Sequence, residues 1–180
     1  RHRAGAFHNW NPKIIYYVSP QVWASRESRA HQLARDIDLL LSVIPFEKAW
    51  YATRVPQLRV EFVGHPLIDR HHRSQNTDHR SVGSPALVLL LPGSRRRELE
   101  EHLPILLEAA QQIRAQHKVR MRMVLPGPEL AEAARRGAAS IPDLEIRCGR
   151  LAEALAEADL AIASSGTVVL ECAYFRIPTV

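Results

Sequence analysis

The sequence predicts an α/β protein built on parallel sheets in two successive parts. Three observations carry that expectation. Short apolar runs alternate with stretches of helical periodicity along most of the chain. A polar, turn-rich seam, "LIDRHHRSQNTDHRSVGSP" from Leu67 to Pro85, has no apolar period and reads as a linker between residues 1–66 and 86–180. The chain has 180 residues and 46% hydrophobic composition, enough for one good core or two small ones.

In the first part, "KIIYYVSP" reads as a buried strand ending at Pro20. Arg26 to Ile37 reads as a helix and "LLLSVI", Leu39 to Ile44, as a second strand. Pro45 then opens a short helix, where its missing N–H does no harm. "RVEFVG", Arg59 to Gly64, is the third strand. After the seam the alternation is cleaner. Ala86 to Leu91 is a strand, and Arg96 to His117 a helix with a break or restart at Pro104. Strands at Val119 to Leu125, Leu144 to Arg147 and Asp159 to Ser164 alternate with helices at Glu129 to Ala138, Leu151 to Ala158 and Val168 to Phe175. "IPTV" begins one more strand. This is most of a Rossmann-like domain. The absent starting Met and the uncovered last strand lead us to expect a fragment, with both domains incomplete.

The formal charge is +5, carried mainly by Arg, which suits phosphate-bearing ligands, anionic membrane surfaces or nucleic acid. No apolar run has the length of a membrane span, and the N-terminal stretch lacks a signal-peptide core. Cys148 and Cys172 make no disulfide framework and read as packing residues; a reducing cytoplasm fits best. His71, His72 and His79 lie in the seam without the spacing of a metal site.

Parallel sheets bind ligands on the rim at the carboxyl ends of their strands. Four loops of the second part belong on that rim: "PGSR" (Pro92 to Arg95), "PGP" (Pro126 to Pro128), "CGR" (Cys148 to Arg150) and "SSGT" (Ser164 to Thr167). Gly93 and Ser94 offer backbone donors, and Arg95 offers a planar fork matched to phosphate oxygens. Arg96 and Arg97 lie within helical pairing distance of Glu100 and Glu101 and read as a solvated face. Ser164, Ser165 and Thr167 are placed to cap a helix whose start offers free N–H groups to an anion, with Gly166 among them. Glu171, one turn on, could accept both hydroxyls of a ribose; a solvated side chain is the plainer reading. Neither a Walker pattern nor a G-x-G-x-x-G fingerprint is present. In the first part, Ser19, Gln21 and Trp23 follow a strand end. Trp23 reads as a packed rim aromatic or a platform for a sugar or acyl chain. His65 reads as an acid–base group or as a histidine bonded at a hinge.

Taken in order, "YYVSPQVWASRESR", "DLLLSVIPFEKAWY", "FVGHPLID", "LLPGSRRRELEEHLP" and "ASSGTVVLE" resemble the lipid-A-disaccharide synthase family, from about Ile14 to the last residue. The resemblance implies two Rossmann-like domains of GT-B type facing each other across a cleft. It implies transfer of 2,3-diacylglucosamine from its UDP carrier to 2,3-diacylglucosamine 1-phosphate, with inversion and release of UDP. It implies no metal and no other cofactor, a cytoplasmic location at the inner-membrane surface, and no nucleic-acid partner. Gly93, Ser94 and Arg95 then look like a diphosphate or cleft-facing site. Ser165, Gly166 and Thr167 look like the helix-start phosphate site, Glu171 like the ribose ligand, and Gly149 like part of a loop near the base. Ser19, Gln21, Trp23 and His65 fall on the acceptor side or the cleft. The general base is expected before Arg1, and homodimer contacts beyond Val180. The resemblance departs at Ser25, where the family has Trp within "VWAWR".

Two other classes stay open at this level. One is another UDP-N-acetylglucosamine-dependent GT-B enzyme, against which the "YYVSPQVW" and "FVGHPL" strings argue. The other is a non-catalytic phosphate- or nucleic-acid-binding module. That class calls for basic residues along one face with interleaved aromatics, whereas here the arginines are scattered.

Overall fold

The computed structural model describes residues 12–71, 84–139 and 141–180. The chain divides into two compact units, Arg1–Arg70 and His71–Val180. Each unit is α/β with one wholly parallel sheet.

The first unit runs β1 (Ile15–Tyr17), α1 (Val22–Ser25), α2 (Arg29–Asp36), β2 (Leu39–Ser42), α3 (Glu47–Arg54), β3 (Arg59–Phe62) and α4 (Pro66–His71). Its strands lie in the order β1-β2-β3. Leu40 and Val60 point to one face, where Val22, Ala30, Ile37, Tyr51, Val55 and Leu58 close a core.

Three sequence expectations change here. β1 is not buried: Ile15 is 58% and Tyr17 52% exposed, because among the described residues the strand pairs with β2 alone. The helix expected from Arg26 to Ile37 is α2, which starts only at Arg29; an unexpected short helix, α1, precedes it, and the turn between them is closed by the Arg29 N–H donating to the Arg26 carbonyl at 3.0 Å. The seam expected to be loop from Leu67 begins as helix α4. There the Leu67 N–H donates to His65 Nδ1 at 3.2 Å, a cap supplied from just outside the helix. His72 and His79 lie outside the described residues.

The second unit runs β4 (Leu87–Leu91), α5 (Arg96–Gln116), β5 (Arg120–Leu125), α6 (Pro128–Gly137), β6 (Leu144–Cys148), α7 (Leu151–Glu157), β7 (Leu160–Ala163) and α8 (Thr167–Tyr174). The strand order is β6-β5-β4-β7, and a parallel bridge from Ala161 to Thr179 adds the chain end outside β7. All five residues of β4 are buried, as a central strand covered on both faces requires. Val88 and Leu90 pack with Leu99, Leu103, Leu106 and Ala110 of α5 and Ala131 and Ala134 of α6. Leu87, Leu89 and Leu91 pack with Ala154 and Leu155 of α7 and Cys172 of α8.

Pro104 does not break α5, which is continuous across it. The missing N–H costs one helical bond, but the apolar stripe Leu99, Leu103, Leu106 and Ala110 holds the helix against the sheet on both sides of it. The two cysteines also part company: Cys172 is buried, whereas Cys148, at the end of β6, is exposed and is no core residue.

Candidate functional site

The rim of the second unit has one distinguished place. Successive strands step outward from β4 through β5 to β6, and the chain then returns to lay β7 on the other side of β4. The crevice between β4 and β7 is therefore the switch point at which doubly wound sheets bind ligands. Leu91 pairs with Ala163, and the Ser164 N–H donates to the Leu91 carbonyl at 2.9 Å. These contacts set the Pro92–Arg95 loop beside the Ser164–Gly166 loop.

The first of these loops is tightly held. His102 Nδ1 donates to the Pro92 carbonyl at 2.8 Å. Gly93 has φ +120°, and a Cβ there would fall 2.5 Å from Glu98 Oε2, so only glycine fits. Glu98 Oε2 accepts the N–H groups of Ser94 at 2.8 Å and Arg95 at 3.2 Å, while Oε1 accepts the Arg95 guanidinium at 2.7 Å. The donors expected to face a ligand are thus occupied by the protein's own carboxylate. The Ser94 N–H, the other donors and the Arg95 charge hold the Glu98 carboxyl below its usual range. Arg96 and Arg97 pair with Glu100 at 3.0 Å and Glu101 at 2.8 Å, as their spacing predicts.

The second loop is more open. α8 is preceded by Gly166, whose φ of +154° suits glycine alone and beside which no atom lies within 4 Å of a built Cβ. No side chain caps the helix, so the capping expected of Ser164, Ser165 and Thr167 is not made. Instead Gly166 leaves the helix-start N–H groups beside empty space, the arrangement that favours an anion. Glu171 is buried, not solvated, on the same helix. Its neighbour Cys172 has its thiol pushed up by burial, with Thr179 opposing and Glu171 adding to the rise, which makes it an unreactive thiol.

Gly149 follows β6 at φ +69°, with its N–H bonded to the Leu125 carbonyl at 2.7 Å. Arg150 continues in the left-handed region and pairs with Glu153. β5 separates this loop from β4, so it lies about 10 Å along the rim from the switch point.

The first-unit candidates sit differently. Ser19 is buried and its hydroxyl donates to Glu47 Oε2, while Trp23 Nε1 donates to Glu47 Oε1 at 3.1 Å. The Ile44 N–H adds a third bond at 3.3 Å. Trp23 also meets Phe46 edge to face at 5.0 Å, the packed-aromatic reading of that residue. Burial, with smaller contributions from the charges of Glu47 and Tyr16, pushes the neighbouring Tyr51 phenol up to about 12, and its hydroxyl donates to the Pro20 carbonyl at 3.3 Å. Gln21 is exposed. Sequence reasoning missed Glu98, His102 and Glu47. Only Glu98 carried a signal, three residues after a helix-entry position, where a carboxylate turns back onto loop N–H groups. Among the described residues no group of His, Cys, Asp and Glu could hold a metal ion.

Comparison with known proteins adds the decisive observation. Residues 7–180 match the lipid-A-disaccharide synthetase family. The chain belongs to that family. It is 38% identical over 174 residues to the lipid-A-disaccharide synthase of Anaeromyxobacter dehalogenans strain 2CP-C, covering 93% of this chain and 45% of that protein. It is also 38% identical over 175 residues to the synthase of Thiobacillus denitrificans, covering 92% and 46% respectively. The chain therefore spans slightly under half the length of these synthases. Among solved structures, an S. aureus MnaA–UDP co-structure superposes with a TM-score of 0.57 at 15% identity, over 89% of this chain and 46% of that one. The likeness supports the fold of a family member built from parallel α/β units.

Proposed function

We propose that this family member carries out glycosyl transfer: 2,3-diacylglucosamine moves from UDP to 2,3-diacylglucosamine 1-phosphate, giving the lipid A disaccharide precursor and UDP. The observation that carries the proposal is the match over residues 7–180 to a family whose relatives are lipid-A-disaccharide synthases. In the reaction the acceptor 6-hydroxyl oxygen bonds to the donor anomeric carbon from the face opposite UDP. The bond from that carbon to the phosphate oxygen breaks, its electrons leave with UDP, and the hydroxyl proton goes to a general base. No residue described here is assigned as that base.

In this reading the UDP diphosphate lies in the β4–β7 crevice. It takes over from Glu98 the N–H groups of Ser94 and Arg95, and it draws the Arg95 guanidinium. Ser165, Gly166 and Thr167 present the helix start to the same phosphates, Glu171 accepts the ribose hydroxyls, and the Gly149 loop lies toward the base. Fixed positive charge and helix-start dipoles stabilise the departing diphosphate without recourse to a metal ion. The protein works in the cytoplasm against the inner-membrane surface. Among the described residues no helix is long and apolar enough to cross a membrane.

Calorimetric titration with UDP tests the donor site. Binding weakened about tenfold or more in Arg95→Ala and in Glu171→Ala is the expected result. Unchanged binding in both variants would remove these residues from the site. Turnover with the two acylated substrates tests the reaction itself.

A further inference from the structure

A second site lies in the first unit, on the turn between α1 and α2. Pro20, Gln21, Val22, Ser25, Arg26 and Arg29 line a concavity of about 260 Å³. Arg26 and Arg29 are three residues apart on one continuous turn. The Arg26 N–H donates to the Val22 carbonyl at 2.9 Å, and the Arg29 N–H to the Arg26 carbonyl at 3.0 Å; both residues line the same concavity. Neither guanidinium has a carboxylate partner among the described residues, whereas nine other described arginines do. Glu27, which lies between them in sequence, pairs instead with Arg54 at 3.2 Å. The opposite wall is rigid. The Pro20 carbonyl accepts the Tyr51 hydroxyl, and the flanking Ser19 and Trp23 are both bonded to buried Glu47.

Two adjacent, uncompensated guanidiniums with a hydroxyl and a carboxamide at a fixed wall suit a tetrahedral dianion with polar substituents. Drug-sized ligands occupy pockets of about 300 Å³ upward, so this one takes something smaller. The geometry points to a binding pocket for a phosphate monoester of monosaccharide size, held by Arg26 and Arg29 with Gln21 and Ser25 beside them. The pocket is lined by residues of the first unit alone and draws on no residue of the second. Only its assignment to the phosphate of the acceptor sugar rests on the reaction proposed above.

The same phosphate chemistry could be presented by a soluble glycosyl phosphate or by a lipid headgroup, and the test separates them. N-acetylglucosamine 1-phosphate and N-acetylglucosamine are titrated into the protein by calorimetry. Cosedimentation with phosphatidylcholine vesicles, with and without phosphatidic acid, runs in parallel. Each arm includes Arg26→Gln, Arg29→Gln, the double variant, and the charge-keeping Arg26→Lys, with circular dichroism as the folding control. The sugar phosphate is expected to bind and the neutral sugar not. Each single Gln variant should lose about tenfold and Arg26→Lys less. Binding confined to phosphatidic acid vesicles and lost in the double variant supports the pocket with a headgroup as its source. Binding of neither probe, or equal binding by the folded double variant, overturns the proposal. UDP titrated into the same samples keeps the two readings separate. Absent UDP binding with retained, Arg26-dependent sugar phosphate binding sinks the donor site alone.

Discussion

Glu47 offers the sharpest test of how the first unit is held together. It is wholly buried and accepts three donors: the Ser19 hydroxyl, Trp23 Nε1 and the Ile44 N–H. Glu47→Ala leaves all three without an acceptor. The buried Ser19 hydroxyl should cost about 2 kcal/mol, and the two part-buried N–H groups about 1 kcal/mol each. A loss of about 4 kcal/mol follows, a large fraction of the stability of a small domain. Glu47→Gln keeps an oxygen for Trp23, and Ser19 can rotate to accept from the new amide, so only Ile44 loses its partner and the loss should be about 1 kcal/mol. Urea titration followed by tryptophan emission is the assay, since Trp23 and Trp50 both belong to this unit. A Glu47→Ala midpoint within about 1 kcal/mol of the parent, or a Gln variant as damaged as the Ala variant, would refute the reasoning.

Gly93→Ala should destabilise the second unit by about 2 kcal/mol in thermal melts and weaken UDP binding, because φ is +120° and the new methyl meets Glu98. The Glu98 carboxyl is held below its usual range in the folded chain, so its contribution is complete above the ordinary glutamate value of about 4.3 and fades as pH falls through the depressed value. The amide shift of Ser94 by NMR should therefore titrate with a midpoint below that of a free glutamate; a midpoint above it contradicts the assignment. Arg122 is buried and pairs with Glu145 at 2.6 Å and Glu157 at 2.7 Å, both of them near half exposed. Arg122→Met should change stability by no more than about 1 kcal/mol, since the carboxylates can return to water, whereas Arg122→Ala should cost about 3 kcal/mol through the void it leaves. Urea denaturation distinguishes the pair.

The sheets were legible because parallel strands write themselves as short apolar runs, and "ALVLLL" leaves little choice for β4. Rim loops were legible because each carries a glycine just after such a run. Pro104 misled because propensity sees the lost bond and not the buried stripe on either side of it. Glu47 and Arg122 stayed hidden for another reason. A charge within an apolar stretch looks the same whether it points to water or to a partner 20 residues away or more, and the partners become visible only with the fold: Ser19 for one, Glu145 for the other. The capping misreading at Thr167 came from residue type. Three hydroxyls near a helix start suggested a cap, while the backbone of Gly166 turns the loop so that none of them makes one.

The strand order also has a temporal consequence. β5 can join β4, and β6 can join β5, after moderate crossovers, but β7 reaches β4 only by closing a loop of 72 residues, the separation seen between Leu87 and Asp159. Closure entropy rises with that separation, so the contact is expected to form after the others. The crevice between β4 and β7 would then be the last part of the sheet to exist during folding. In pulse-labelled exchange the amide of Ser164, bonded to Leu91 across that crevice, should gain protection later than the amides joining β4 to β5. Until that bond closes, the sheet exists without the crevice between β4 and β7.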